Sequence, residues 1–278
     1  MIYFLSDAHL GSLAINDGRA HLQKLIDLLD EMSRDAASIF FMGDIFDFWM
    51  EYYTIDRSKH QFRPFFDKLK ELSRKGITLF YFLGEHDQWT IGDLEKLTGV
   101  EIVEAPCSIS RNGKTLYIGH GNGVYPNEQE KYYPSRIRKQ IAKERHRYDL
   151  FQNQYLQVLF RMLPPAVGNK IGLRWAKKKM EHELANPTPF RGKYKEHLLL
   201  FAREHEQRGY HHDYYIFGHR HIALDTPVTD NSRLILLGDC FRQFTYAALD
   251  DMGNLTLLQH DFGTGSAREH YETNTRAF

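Results

Sequence analysis

Over its first 120 residues this chain alternates short apolar runs with amphipathic stretches of helical period, a pattern that few folds can accommodate. The runs are of strand length and rich in aromatic and β-branched residues, whereas the longer stretches repeat apolar residues at i, i+3 and i+4. The predicted strands are 2–5, 38–42, 77–83 and 115–118, and the predicted helices are 21–32 and 62–73. Strands that alternate with helices form βαβ units, so the pattern predicts an α/β fold with a largely parallel sheet.

Between about residues 125 and 200 helical periodicity replaces strand periodicity, and the composition becomes basic. Thirteen Lys or Arg face six Asp or Glu between residues 124 and 183, although the whole chain has 36 of each. Short strands resume at 214–217 and continue to 255–260. We therefore predict a single domain over 1–278, with a helical lid inserted at about 125–200 and a loose polar tail at about 263–278.

The inserted segment mixes basic residues with apolar and aromatic ones, such as Tyr155, Phe160 and Trp175 beside Arg161 and Arg174. This mixture suits a membrane interface or a substrate that is both acylated and phosphorylated. The alternative is a solvated helix surface with no partner. Nucleic acid is not expected as a partner, because the net charge is zero and the stacking motifs of known binding modules are absent.

Cysteine usage and the start of the chain indicate the compartment. Cys107 and Cys240 form neither a CxxC pair nor a Cys/His metal spacing, so a reducing cytoplasm is expected. The chain runs from Met1 directly into the first predicted strand, without the pattern of a secretory signal. No apolar stretch reaches the length of a membrane span, which leaves peripheral association as the expected form of membrane contact.

Clusters of Gly, Asp and His directly follow five of the predicted strands. They are Asp7-Ala8-His9, Gly43-Asp44, Gly84-Glu85-His86-Asp87, Gly119-His120-Gly121-Asn122 and Gly218-His219-Arg220-His221. Any one of them is explained by an ordinary turn or cap. Because open α/β folds place their sites beyond the carboxyl ends of the strands, five such clusters together predict a metal site at that edge. Mixed imidazole and carboxylate ligands favour manganese, zinc or iron over magnesium.

The clusters resemble, in the same order, the D-x-H, G-D-x-x-D, G-N-H-D, G-H and G-H-x-H motifs of the calcineurin-like metallophosphoesterases. The resemblance covers most of the chain apart from the insertion. It implies an α/β fold of two β-sheets flanked by helices, a phosphoesterase activity and two divalent metal ions. Manganese is the first expectation, with zinc or iron as alternatives.

Carried over position by position, the resemblance implies that Asp7, His9 and His221 hold one ion, that His120 and His219 hold the other, and that Asp44 bridges them. It also implies that His86 stabilises or protonates the leaving oxygen, with Asp87 a candidate for orienting the His86 ring.

The chain departs from the family pattern at two positions. Glu85 stands where the family has asparagine, and Asn122 stands where an aspartate is expected. We expect Glu85 still to bind the second ion through its carboxylate. An extra anion there would bind the metal more tightly and lower its power to polarise a phosphate.

A finer resemblance rests on the aromatic run that contains Asp47 and Trp49 and on the basic insertion. Both are similar to the UDP-2,3-diacylglucosamine diphosphatases of lipid A synthesis. This resemblance implies cleavage of UDP-2,3-diacylglucosamine to UMP and 2,3-diacylglucosamine 1-phosphate, at the inner-membrane surface of a Gram-negative bacterium. Asp47, Trp49 and Asn122 are then expected to shape the substrate pocket.

Two alternatives remain open from the sequence. One is a phosphoesterase with the same metal chemistry that acts on a soluble nucleotide or phosphate ester. The other is a non-catalytic homologue that binds metal or a lipid headgroup, which Glu85 and Asn122 motivate. The oligomeric state is not predicted.

Overall fold

The computed structural model describes residues 1–103, 105–126, 135–186 and 189–269. Its strands are β1 (Ile2–Leu5), β2 (Ser38–Phe41), β3 (Thr78–Phe82), β4 (Glu101–Val103), β5 (Cys107–Arg111), β6 (Lys114–Gly119), β7 (Tyr214–Phe217), β8 (Ala223–Thr229), β9 (Ser232–Leu237), β10 (Thr245–Leu249), β11 (Leu255–Asp261) and β12 (Ser266–Glu269). Its α-helices are α1 (Gly18–Met32), α2 (Arg63–Arg74), α3 (Asp93–Thr98), α4 (Ser135–Phe151), α5 (Gln154–Arg161), α6 (Pro165–Ala185) and α7 (His197–Gln207).

The strands form two sheets. The first has the order β12-β11-β10-β1-β2-β3-β4, and the second has the order β5-β6-β7-β9-β8. Strands β1 to β4 are parallel to one another, as are β6, β7 and β9. The outer strands β5, β8, β10, β11 and β12 pair antiparallel with their neighbours. The expected α/β fold of two sheets flanked by helices is therefore confirmed.

Alternating side chains of the strands fill three layers of core. In β1, Ile2 and Phe4 pack toward the second sheet, against residues such as Ile216, whereas Tyr3 and Leu5 pack toward α1 and α2. The far face of the second sheet is covered by Leu198, Leu199 and Ala202 of α7. Both faces of the central strands are thus buried, which explains why they read as continuous apolar runs.

Helices α4, α5 and α6 occupy the basic segment, of which residues 127–134 and 187–188 lie outside the described part. The buried face of α6 is a stripe of small side chains that repeats every four residues and ends at Met180: Gly168, Gly172, Ala176 and Met180. A Cβ at Gly172 would collide with the Phe48 ring, and one at Gly168 with Tyr52. The absence of side chains there lets α6 lie directly against the loop that follows β2.

The end of the chain differs from the sequence prediction of a loose tail. Ser266–Glu269 pairs antiparallel with β11 as strand β12, although all four of its residues are exposed. Main-chain hydrogen bonds suffice to hold an edge strand without an apolar face, so no apolar pattern in the sequence predicts β12. The rest of the predicted tail, 270–278, lies outside the described residues.

Among the described residues no helix has the length and apolar character needed to cross a membrane.

Candidate metal centre

The motif residues occupy the loops that leave the carboxyl ends of β1, β2, β3, β6 and β7. Seven non-glycine residues of the described chain have positive φ, and five of them belong to these loops: Asp7, His9, Asp44, His219 and His221. Such backbone costs free energy in a residue with a side chain, and it collects at functional sites where the surrounding structure enforces it. The strain therefore marks the same residues that the sequence selects.

Glycines beside these residues let the loops approach one another. A Cβ at Gly43 would lie 2.6 Å from His120 Nδ1, and one at Gly218 would lie 2.5 Å from Asp7 Oδ2. At Gly84 a Cβ would collide with the Asp44 carboxylate. Gly43, Gly84 and Gly218 thus each make room for a side chain of another motif, which is a physical reason for a glycine at these three positions.

Asp7, His9 and His221 form the first group of potential ligands. His221 Nε2 lies 3.1 Å from Asp7 Oδ1 and 3.2 Å from His9 Nε2. The other nitrogen of His9 contacts Asp47 Oδ1 at 3.1 Å, so Nε2 is the nitrogen that turns toward the group. A buried carboxylate that holds the outer nitrogen is the usual support of a metal-binding histidine.

Glu85, His120 and His219 form the second group. Glu85 Oε2 lies 3.0 Å from His120 Nε2 and 2.9 Å from His219 Nδ1. The far nitrogen of His120 contacts the Met42 carbonyl at 2.7 Å, which turns Nε2 inward. Glu85 therefore lies with the two histidines as a potential ligand of this group.

Asp44 joins the two groups. It belongs to one cluster with Asp7 and His120 and to another with Glu85 and His86. Its Oδ1 accepts a hydrogen bond from the His86 amide at 2.9 Å, whereas Oδ2 lies 3.3 Å from His120 Nε2 and has no hydrogen-bond partner among the described residues. A buried carboxylate oxygen without a donor is unusual, and its position between the two groups of potential ligands suits a bridging ligand.

The carboxylates shift the proton affinities of the site. Burial alone would lower the pKa of His9, but Asp47, Asp44 and Asp7 outweigh it and raise that pKa to about 9. Burial likewise opposes protonation of His120, and the Asp44 and Glu85 carboxylates nevertheless raise its pKa well above the ordinary value. A field that attracts protons this strongly also attracts divalent cations, so the residues present fit the two ions that the family pattern implies.

His86 has different surroundings. Its Nδ1 lies 2.6 Å from the Asp47 carbonyl, which only accepts, and its Nε2 lies 2.9 Å from Lys179 Nζ, which only donates. Burial, with the Lys179 charge next in size, lowers the pKa of His86 to about 4. The ring is therefore neutral with its proton on Nδ1, and the group that presents a proton beside it is the Lys179 ammonium.

The residue expected to orient the His86 ring does something else. Asp87 accepts hydrogen bonds from the Gly84 amide, the Ile45 amide and the Tyr81 hydroxyl at 2.8, 2.8 and 2.5 Å. Its carboxylate thus ties the loop after β3 to the loop after β2. The Asp47 carbonyl takes the orienting contact instead, because Asp87 is turned into the protein.

Of the three residues expected at the substrate pocket, Asn122 lines a cavity, together with His120. The Asp47 side chain supports His9, as described above. Trp49 is 2% exposed, donates its indole N–H to Glu51 at 3.1 Å and packs its ring 4.5 Å from that of Phe46, so it belongs to the core.

Two contributions to the site were missed in the sequence. Lys179 and Trp175 of α6 reach the centre, the latter with its ring 4.9 Å from that of His86. The loop after β9 brings Phe241 against the rings of His9 and His221 at 5.7 and 5.5 Å. This loop begins with Gly238-Asp239 after the apolar run of β9, so the strand-end signal was present there too.

A family model described as calcineurin-like phosphoesterase matches residues 1–223. The chain belongs to this family and is a metal-dependent hydrolase, which confirms the resemblance of the strand-end motifs. It is similar to the UDP-2,3-diacylglucosamine hydrolase of Porphyromonas gingivalis, with 33% identity over 260 residues that cover 90% of this chain and 94% of that one. The protein of the same name from Pseudomonas syringae is 28% identical over 130 residues, 46% of this chain and 49% of that one.

Solved structures also align with the chain. The phosphoesterase Yfce from E. coli covers 96% of this chain and 95% of its own at 12% identity, with a TM-score of 0.43. A dimetal phosphatase from Danio rerio covers 93% and 94% at 15% identity, with a TM-score of 0.41.

Proposed function

We propose that this protein hydrolyses the pyrophosphate bond of UDP-2,3-diacylglucosamine, giving UMP and 2,3-diacylglucosamine 1-phosphate. The observation that carries the proposal is the pair of ligand groups joined by Asp44, because two adjacent ions suit in-line displacement at phosphorus. The similarity to the hydrolase of Porphyromonas gingivalis over 90% of this chain supports the choice of substrate.

In this proposal Asp7, His9 and His221 hold one ion, Glu85, His120 and His219 hold the other, and Asp44 bridges them. When bound, the ions supply an activated water and a clamp on the phosphoryl oxygens. Manganese is the proposed metal, since the site mixes nitrogen and oxygen donors, and zinc and iron are the alternatives.

Lys179 has a role beside the ions. Its Nζ lies 2.6 Å from Glu85 Oε1 while Glu85 Oε2 faces the two histidines, so the carboxylate is shared between the ligand group and an ammonium. Lys179 thereby offsets the extra negative charge that Glu85 introduces. Its N–H groups also offer a hydrogen bond to the leaving oxygen, a task that the neutral His86 ring cannot perform through Nε2.

Helices α5 and α6 also support peripheral contact with the cytoplasmic face of an inner membrane. Tyr155, Leu159, Met162 and Ile171 of the segment α5–α6 are 83%, 64%, 69% and 50% exposed. Exposed apolar side chains among basic ones are typical of a surface that meets anionic lipid, where an acylated substrate resides.

The test is release of UMP from UDP-2,3-diacylglucosamine by the purified protein with manganese and detergent. We expect turnover by the wild type and a loss of at least about a hundredfold in His120→Ala, because that change removes a ligand of the second group. Hydrolysis of bis(p-nitrophenyl) phosphate without release of UMP would indicate that the substrate is a soluble phosphate ester instead. Two bound ions without turnover of either substrate would contradict an enzymatic role.

A further inference from the structure

A cavity of about 280 Å³ opens beside the second ligand group, with His120 and Asn122 at one end. It lies between the edge of the first sheet, at Val103 and Pro106, and helices α4 and α5. This volume is at the lower end of small-molecule sites, which suits a nucleoside better than two acyl chains. Because it adjoins potential metal ligands, a molecule whose phosphate reached them could place its next group here.

The helical wall of the cavity is mostly amide. Gln152, Gln154 and Gln157 line it with Tyr148, and Gln88 faces them from the loop after His86. Within the described residues no Asp, Glu, Lys or Arg contributes to the lining. A phosphate would be poorly held without a cation, and an acyl chain would offer the Gln88 amide no acceptor.

One of these amides has a donor that nothing in the described chain accepts. Gln88 Oε1 accepts a hydrogen bond from Gln152 Nε2 at 2.7 Å, which leaves Gln88 Nε2 as the free end of that amide. Gln88 Nε2 is buried and has no hydrogen-bond partner among the described residues. Buried donors are normally paired, so this one calls for an acceptor that enters the cavity.

The opposite wall is apolar. Phe82, Leu83, Val103 and Pro106 provide a surface for the face of a ring, while the amides meet its edge. A flat ring with carbonyl oxygens and an N–H on its edge satisfies both walls, and uracil has that pattern. The apolar cluster of Met50, Tyr52 and Trp89, with Phe48 and Phe160, is a separate group that offers no such set of amides.

We propose that this amide-lined cavity binds the uracil base of the substrate, with Gln88 donating a hydrogen bond to O4, the base carbonyl that cytosine lacks. The inference rests on the proposed function, since it assigns the uridine half of the same substrate. The acylated sugar then extends from the metal centre on the other side, toward Trp175 and Phe48.

The test compares binding of UMP and CMP to the manganese-loaded full chain by titration calorimetry. Both nucleotides present the same phosphate to the metal centre, so the ratio of their affinities isolates the base. Gln88→Met preserves side-chain length and removes the donor. Gln207→Met is the matched control, because Gln207 is exposed at the end of α7, away from the cavity.

We expect the wild type to bind UMP about tenfold more tightly than CMP, and Gln88→Met to lose most of that preference. Gln207→Met should behave as the wild type. Gln152→Ala, which removes the group that orients Gln88, should lower the preference by about threefold and serves if Gln88→Met does not fold.

Equal binding of UMP and CMP by the wild type, or an unchanged preference in both cavity variants, would overturn the inference. A wild type that shows the Gln88-dependent preference but releases no UMP from the lipid substrate would keep the uracil subsite and reject the proposed function. Release of UMP from the lipid substrate, with a nucleotide preference that does not depend on Gln88, would keep the proposed function and reject the uracil subsite.

Discussion

At the scale of single residues, the pairing of Glu85 with Lys179 changes how the departure from the family pattern is understood. From the sequence, a glutamate in place of asparagine was expected to weaken the polarisation of phosphate. In the structure the charge of Lys179 lies 2.6 Å from the outer oxygen of that glutamate, so the local charge is close to that of a neutral ligand. The effects of replacing Glu85 and of replacing Lys179 are therefore expected to depend on each other.

We predict that Glu85→Asn and Lys179→Met each lower kcat/KM, by about ten- to a hundredfold, because each leaves the other charge unpaired in a partly buried site. The double variant should lose less than the two single losses combined, by a coupling free energy of roughly 1.5–3 kcal/mol, and should stay below the wild type because it still lacks the Lys179 donor. Manganese content measured on each variant separates metal loss from slower chemistry. Lys178→Met, on the exposed neighbour, is the control, and simple additivity of the two losses would contradict the pairing.

The neutral state of His86 leads to a prediction about stability. Its pKa is lowered from 6.5 in the unfolded chain to about 4 in the folded one. As the pH falls below 6.5 the unfolded chain takes up this proton and the folded chain does not, so folding loses free energy. Relative to His86→Gln, the metal-free wild type should lose about 2 kcal/mol between pH 7 and pH 5, measured by urea unfolding in EDTA. Parallel pH profiles of the two proteins would show that folding does not shift the pKa of His86.

That the residues of the two groups lie together could be predicted from the sequence, because each follows a strand directly and the strand ends meet at one edge of the fold. Lys179 could not, since it comes from a helix more than ninety residues beyond Glu85 and shares no spacing with it. Trp49 shows the opposite error. The resemblance of its aromatic run suggests the substrate pocket, but the chain turns Trp49 into the core.

At the scale of elements, α6 determines how the inserted segment meets the metal centre. Its small side chains let the helix lie against Phe48 and Tyr52, and this contact carries Lys179 and Trp175 to His86. Tyr52 donates a hydrogen bond to Asn169 at 2.9 Å, which holds the same stretch of helix in register. A sequence reading detects the helix but not its buried face, because glycines give no apolar signal.

Gly172→Ala is therefore expected to displace α6 from the Phe48 ring. The added methyl group should cost about 1–3 kcal/mol in the free energy of unfolding and lower kcat/KM by withdrawing Lys179. Gly18→Ala is the control, since a Cβ there meets nothing within 4 Å and its helix should be unchanged or slightly more stable. Thermal unfolding and kinetics on both variants check the prediction. An unaffected Gly172→Ala would show that α6 does not set the position of Lys179.

At the scale of the whole molecule, two sheets pack face to face and their strand ends supply one site. The parallel strands could be predicted from the alternation of strand and helix, and the resemblance implied that there are two sheets. The antiparallel pairing of β10 with β1 could not, because it joins residues almost 250 positions apart. Long-range pairings of this kind depend on packing that no local pattern records.

The proposed membrane contact also belongs to the whole molecule. We predict that the protein sediments with vesicles containing anionic lipid at low salt, and that binding weakens at high salt, as electrostatic attraction requires. Leu159→Glu combined with Met162→Glu should reduce the bound fraction severalfold. Met252→Glu, an exposed methionine in the turn between β10 and β11, is the matched control. Equal sedimentation of both variants would place any membrane contact elsewhere.

The positive φ angles of Asp7, His9, Asp44, His219 and His221 set stability against activity in this chain. Glycine adopts these conformations without strain, so relief of the backbone strain favours glycine where the chemistry needs a ligand side chain. A laboratory search for heat-resistant variants that did not also select for catalysis would tend to erode the centre at these five positions. Substitutions that stabilise this protein against heat and keep its activity are therefore expected away from the strand ends.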